Sequence, residues 1–158
     1  MNEYASVIDR VSKETGVPSD IMTKMLEVES NFNPQAVSPK GAKGIAQFMP
    51  ETAKQYGVNV NDPVSSIEGM GKYMKDLIKF FNGDRVKAVA AYNWGMGNVS
   101  KYGLEKAPKE TRDYVKKVLG IDLDTYGSIS VPNYFTPAQK QQNAISKAIQ
   151  KKADENIL

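Results

Sequence analysis

Apolar residues recur every three to four positions along most of this chain, and no stretch alternates with polar residues for long enough to build a sheet. That period predicts an all-α fold. Tyr4, Val7, Ile8 and Val11 form one stripe that stops before Gly16. Pro18-Ser19-Asp20 opens a second helix carrying Ile21, Met22, Met25 and Leu26, which Asn33-Pro34 should end. Residues 35–43 are polar, contain Pro39 and Gly41, and read as loop. A further helix is expected from about Ile45 to Tyr56, interrupted or restarted at Pro50. Ser65-Ser66-Ile67-Glu68 has capping-box spacing ahead of Met70, Met74, Leu77 and Phe81, and Gly83 closes that helix. Asp84 can cap the next, where Val86, Val89 and Ala90 share a stripe and the alanines permit close packing. Gly95-Met96-Gly97 reads as a turn. Pro108, at an N1-like position, starts a last clear helix with Thr111, Tyr114, Val115 and Val118 facing inward.

The pattern changes after Gly120, which divides the 158 residues into a folded domain, 1–120, and an extension, 121–158. Residues 121–136 read as linker. Ala138, Ile145, Ala148 and Ile149 then give a thin stripe, a marginal helix that would need a partner. The longest apolar run, Ala88 to Tyr92, is too short to span a bilayer, and the N-terminus lacks the apolar core of a signal peptide.

Composition narrows the chemistry. The chain has no Cys and no His, which excludes thiol nucleophiles, thiolate or imidazole metal sites and Ser-His triads. No metal and no cofactor is expected. Proton transfer would fall to Asp, Glu, Lys or Tyr. Glu29 is the candidate, because it follows Met22 by seven, Met25 by four and Leu26 by three and so shares their face. Glu27 shares a face with Asp20, Thr23 and Lys24 and reads as solvated. A carboxyl group on an apolar stripe resists ionisation, and the raised pKa suits a general acid near neutral pH. The alternative is a helix-end glutamate that bonds nearby backbone amides.

Four ordered motifs bear on that choice. Glu29-Ser30-Asn31-Phe32-Asn33-Pro34, Ser38-Pro39-Lys40-Gly41-Ala42 and Gly44-Ile45-Ala46-Gln47-Phe48-Met49-Pro50 resemble the signature of soluble lytic transglycosylases, in the goose-type lysozyme-like superfamily. Ala91-Tyr92-Asn93-Trp94-Gly95-Met96-Gly97 is similar to that family's Ala-Tyr-Asn-Ala-Gly motif. Glu110-Thr111-Arg112-Asp113-Tyr114-Val115 is similar to its Glu-Thr-x-x-Tyr-Val motif. The resemblance covers roughly residues 17–119 and implies a lysozyme-like helical domain that cuts peptidoglycan glycan strands.

Carried over, it makes Glu29 the sole catalytic acid/base, with no second acid of the motifs close to it. Gln47 and Tyr92 would lie beside the scissile sugar, Tyr92 positioning Glu29 or the substrate. Ser38, Met49, Asn93 and Glu110 would line the glycan groove. Met49 and Tyr92 could equally be core, and Asn93 a helix C-cap. Ala46, where the family has Met, and Trp94, where a small residue is usual, depart from the pattern. The implied reaction cleaves the MurNAc-GlcNAc bond and closes a 1,6-anhydro ring on the muramic acid, an intramolecular attack that needs no activated water. The alternatives are a lysozyme-type hydrolase with the same acid, and an inactive glycan-binding or structural virion module. A nucleic-acid site on Lys101, Lys106, Lys109, Arg112, Lys116 and Lys117 is set aside because the net charge is only +3. The expected partner is therefore the glycan strand, with no nucleic acid, and the extension could dock a larger virion or envelope assembly. Without a signal peptide, delivery by a phage particle into the host periplasm is the expected route, export of a bacterial protein the alternative.

Overall fold

The computed structural model describes residues 2–126. Seven α-helices run in chain order among them: α1 (Ala5–Thr15), α2 (Ser19–Ser30), α3 (Pro50–Gln55), α4 (Pro63–Phe80), α5 (Arg85–Trp94), α6 (Met96–Tyr102) and α7 (Lys109–Leu119). A short 3-10 turn, Leu104–Lys106, precedes α7. The described residues contain no strand, only the isolated bridges Val37–Lys43 and Lys43–Phe48. No described helix is long and apolar enough to cross a membrane.

The apolar stripes meet in one core. Met22, Met25 and Leu26 of α2, Met70 and Met74 of α4, Val86 and Val89 of α5 and Val115 of α7 are fully buried. Helix α5 sits among α4, α6 and α7, and its buried Ala88, Ala90 and Ala91 let those neighbours approach. Gly71 does the same where α4 meets α1, since a Cβ there would lie 2.3 Å from Val11 Cγ1. Helix α7 packs against both α2 and α5, and so joins the three elements that carry the chemistry below.

Several boundaries differ from the sequence reading. Residues 45–49 are not helical: Gly44 (φ 83°) and Gln47 (φ 53°) are left-handed, and Pro50 occupies the first helical position of α3. Helix α4 begins at Pro63 because Asp62 caps it, accepting from the Val64 and Ser65 amides, so the Ser65 capping box is not used. Ser65 Oγ accepts the Asn59 amide instead, at 2.9 Å. Gly95 alone makes the corner after α5, and α6 starts at once. Pro108 is the N-cap of α7 rather than its first residue. Asp84 caps α5 as expected, taking the Lys87 amide at 3.0 Å.

Residues 121–126, the described part beyond Gly120, stay against the body. Ile121 and Leu123 are buried in the core, and Arg112 Nη1 meets Asp124 Oδ1 at 3.2 Å. The expected linker over 121–136 is thus packed rather than free over its first six residues; its remainder, 127–136, and the marginal helix after Pro137 lie outside the described residues.

Candidate active site

Glu29 occupies the last turn of α2, one residue before Ser30 ends it and Asn31 turns left-handed (φ 52°). The apolar stripe of Met22, Met25 and Leu26 leads straight to it, and its own side chain is half-buried. Tyr114 Oη, from α7, donates to Glu29 Oε2 at 3.0 Å. Burial pushes the carboxyl from an ordinary 4.5 up to about 7, Tyr114's hydrogen bond pulls it down, and the charge of Glu110 pushes it up again. A group so poised is protonated about half the time at neutral pH and can both give and take a proton. Glu27, two residues earlier, pairs with Lys24 at 3.4 Å in solvent.

The loop after α2 is a knot of turns held from two sides. Gly44 N donates to Ala36 O at 2.9 Å, and Lys43 and Phe48 exchange backbone bonds of 3.0 and 3.1 Å. Gln47 Nε2 donates to Ala36 O and Gly44 O, at 3.0 and 2.8 Å, which commits its amide nitrogen to the turn itself. Ser38 Oγ accepts the Ala42 amide at 3.0 Å. Ser30 Oγ, beside the acid, ties the turn to α2 through Ile45 O at 2.7 Å. Tyr92 Oη ties it to α5 through Ala46 O, also 2.7 Å.

That last bond bears on the first of the two roles expected of Tyr92, positioning Glu29 or the substrate. The hydroxyl of Tyr92 goes to the Ala46 carbonyl, and the tyrosine that holds Glu29 is Tyr114, read from the sequence only as inward-facing. Tyr92 is instead a hub, its ring 6.2 Å from Phe48 and 5.5 Å from Tyr73. Burial, then the nearby Glu29 charge, holds its hydroxyl well above the usual phenol range, so it stays a donor.

Ser38, Gln47, Met49, Tyr92, Asn93 and Glu110 all open onto one cleft of about 630 Å³ that Glu29 also lines. Met49 is 45% exposed, which excludes a core role, and Asn93 lies within α5, whose C-cap is Gly95. Thr111 Oγ1 donates to Asn93 Oδ1 at 2.8 Å and locks the ends of α5 and α7 together. Lys40, Ala42, Trp94, Asn98, Pro108 and Thr111 complete the lining without having been singled out as site residues. Glu110, like Glu29 itself, lines both this cleft and a smaller cavity of about 260 Å³. A second carboxylate therefore does stand near the acid. The first turn of α7 folds back onto α2, a pairing that no spacing within either motif reports.

The lysozyme-like helical arrangement has counterparts among known proteins. A profile of the transglycosylase SLT domain matches residues 6–115. The chain belongs to this family. It is 30% identical over 161 residues to the peptidoglycan transglycosylase gp16 of Escherichia phage T7, covering 87% of this chain and 12% of gp16. It is 34% identical over 129 residues to the membrane-bound lytic murein transglycosylase D of Escherichia coli K12, covering 69% of this chain and 28% of that protein. Among solved structures, an inactive mutant of lytic transglycosylase Slt from Pseudomonas aeruginosa superposes with a TM-score of 0.68 at 27% identity, over 87% of this chain and 26% of that one. The SLT domain described here thus spans only a small part of each of these relatives.

Proposed function

We propose that this SLT domain is a lytic transglycosylase that cuts peptidoglycan glycan strands between N-acetylmuramic acid and N-acetylglucosamine. The observation that carries this reading is Glu29 at the cleft wall, half-buried, bonded by Tyr114 and balanced near neutral pKa. Protonated Glu29 donates to the glycosidic oxygen as the bond to the muramic C1 breaks. The sugar's own acetamido oxygen stabilises the cationic carbon, so no carboxylate nucleophile is required. Glu29, now a carboxylate, takes the proton of the C6 hydroxyl as that oxygen bonds to C1 and closes the 1,6-anhydro ring. Attack from within the same sugar replaces a free water by a group already in place. Tyr114 keeps the carboxyl aimed through both halves, and Glu110 keeps it from ionising too early.

The similarity to phage T7 gp16 along 87% of this chain supports delivery to the wall by a phage particle. Isolated sacculi incubated with the purified chain should release soluble muropeptides. Tight binding to sacculi with no release would instead identify a glycan-binding module.

The two groups around Glu29 act on its pKa in opposite directions, which gives a signed test. Activity requires the protonated acid, so kcat/KM falls as pH rises through that pKa. Glu110→Gln removes the like charge, and the alkaline limb should move to lower pH. Tyr114→Phe removes a bond that favours the carboxylate, and the limb should move to higher pH. A pH series of kcat/KM on soluble glycan strands checks both. Limbs that stay in place, or move together, would contradict the assignment of Glu29 as the titrating acid.

A further inference from the structure

The single tryptophan of the chain ends α5 at the edge of the cleft, where Gly95 (φ 104°) turns the backbone into α6. Asn98 Nδ2 donates to Trp94 O at 2.7 Å and holds that corner closed. Trp94 lines the cleft, and the Tyr102 ring lies 6.1 Å from its indole, tilted by only 31°. Tyr102 is itself 47% exposed, with the Lys101 ammonium 5.2 Å from its ring centre. Met49, on the wall formed by the loop after α2, is exposed as well. Trp94 packs against the core on one side and is only partly buried, and Tyr102 beside it is exposed, so part of an aromatic pair is left open at the edge of a polar cleft, a surface built to be covered.

The chemistry of what covers it follows from the rings. A pyranose carries its hydroxyls around the rim and presents C–H groups on its faces, so a face laid on an indole buries apolar area and leaves the hydroxyls free for groups such as Asn98. We infer that Trp94, backed by Tyr102, is a stacking platform for one saccharide unit of the glycan strand and extends the binding site beyond the sugars at Glu29. This rests on the glycan-cleaving reading above and adds to it a subsite that a small residue at this position could not provide. Stacking on a unit away from the reacting bond strengthens ground state and transition state alike, so its loss should raise KM and leave kcat nearly unchanged.

Trp94 reports on the platform directly, because all tryptophan fluorescence comes from it. In the full chain carrying Glu29→Gln, titration with a peptide-free GlcNAc-MurNAc octasaccharide should shift that emission saturably. Calorimetry with the same octasaccharide should then show Trp94→Ala, in that background, binding about tenfold more weakly, the order expected for one aromatic face. Trp94→Phe, which keeps a ring, should recover most of the affinity and guards against a folding artefact in the alanine variant. With Glu29 intact, Trp94→Ala should raise KM about tenfold and change kcat by less than about twofold. Calorimetric binding that Trp94→Ala leaves unaltered would overturn the platform while the glycan-cleaving reading stands. An unaltered chain that neither binds the octasaccharide nor digests sacculi would overturn both.

Discussion

Glu29→Gln should lower turnover on peptidoglycan by roughly 10²–10⁴-fold while the helical fold, followed by circular dichroism, is retained. The amide keeps the size of the carboxyl and can still accept from Tyr114, but it has no proton to give to the glycosidic oxygen and cannot take one from the C6 hydroxyl. The same substitution should stabilise the protein above neutral pH. The folded-state pKa of Glu29 is raised from 4.5 to about 7, so between those values the folded chain holds a proton that the unfolded chain has lost. Stability attributable to Glu29 is therefore complete below about pH 4.5, declines as pH rises, and is gone above about pH 7. A shift of this size corresponds to about 3 kcal/mol at alkaline pH. Melting curves of the two proteins should nearly coincide at pH 4 and separate at pH 8, with the glutamine variant the more stable. Coincidence at both pH values would mean that Glu29 ionises freely, and with it the general-acid role would lose its physical basis.

Gly44→Ala should damage both stability and activity, because Gly44 anchors the turn that carries the cleft wall. Its φ of 83° is left-handed, and a Cβ there would stand 2.3 Å from the carbonyl oxygen of Val60, a backbone atom that cannot swing aside. Strain and overlap together should cost about 3 kcal/mol, or roughly 6–12 °C in Tm. Shifting this turn also moves the Ile45 and Ala46 carbonyls that Ser30 and Tyr92 hold, and the Gln47 side chain bonded to Gly44 O. Displacement of about 1 Å at such a site can lower the rate by about 10²-fold. Gly16→Ala is the control, since Gly16 is equally left-handed at φ 79° but its Cβ would meet nothing within 4 Å. It should cost only about 1 kcal/mol and leave turnover unchanged. Equal losses at the two glycines would show that contact with Val60 is irrelevant.

What the sequence revealed and what it hid divide along physical lines. Periodicity reports which face of a helix is buried, so the stripe ending at Glu29 and the inward set Thr111, Tyr114, Val115 and Val118 were legible. It does not report which buried faces meet. Tyr114 was therefore visible as buried but not as the partner of a carboxyl 85 positions away, and Glu110 not as its electrostatic neighbour. The expected helix fails only over 45–49, since α3 does start at Pro50, and that failure has a different cause. Ile45, Ala46 and Phe48 are as buried as any helical stripe, but they are buried from a turn whose left-handed Gln47 no propensity would suggest. Helix α6 escaped because a seven-residue segment with Gly97 inside it reads as a turn. The cleft residues came from ordered motifs, a longer-range signal than period or propensity, and the fold brings all of them to one wall or another of the same opening.

The central claim is that the bond is broken by a single acid with the sugar's own hydroxyl as nucleophile. Mass spectrometry of the muropeptides released from sacculi in the first minutes tests it most directly. The account predicts disaccharide-peptides one water lighter than hydrolysis products, ending in 1,6-anhydro-muramic acid and inert to borohydride. Muropeptides with a borohydride-reducible muramic end, present from the earliest time point, would contradict it.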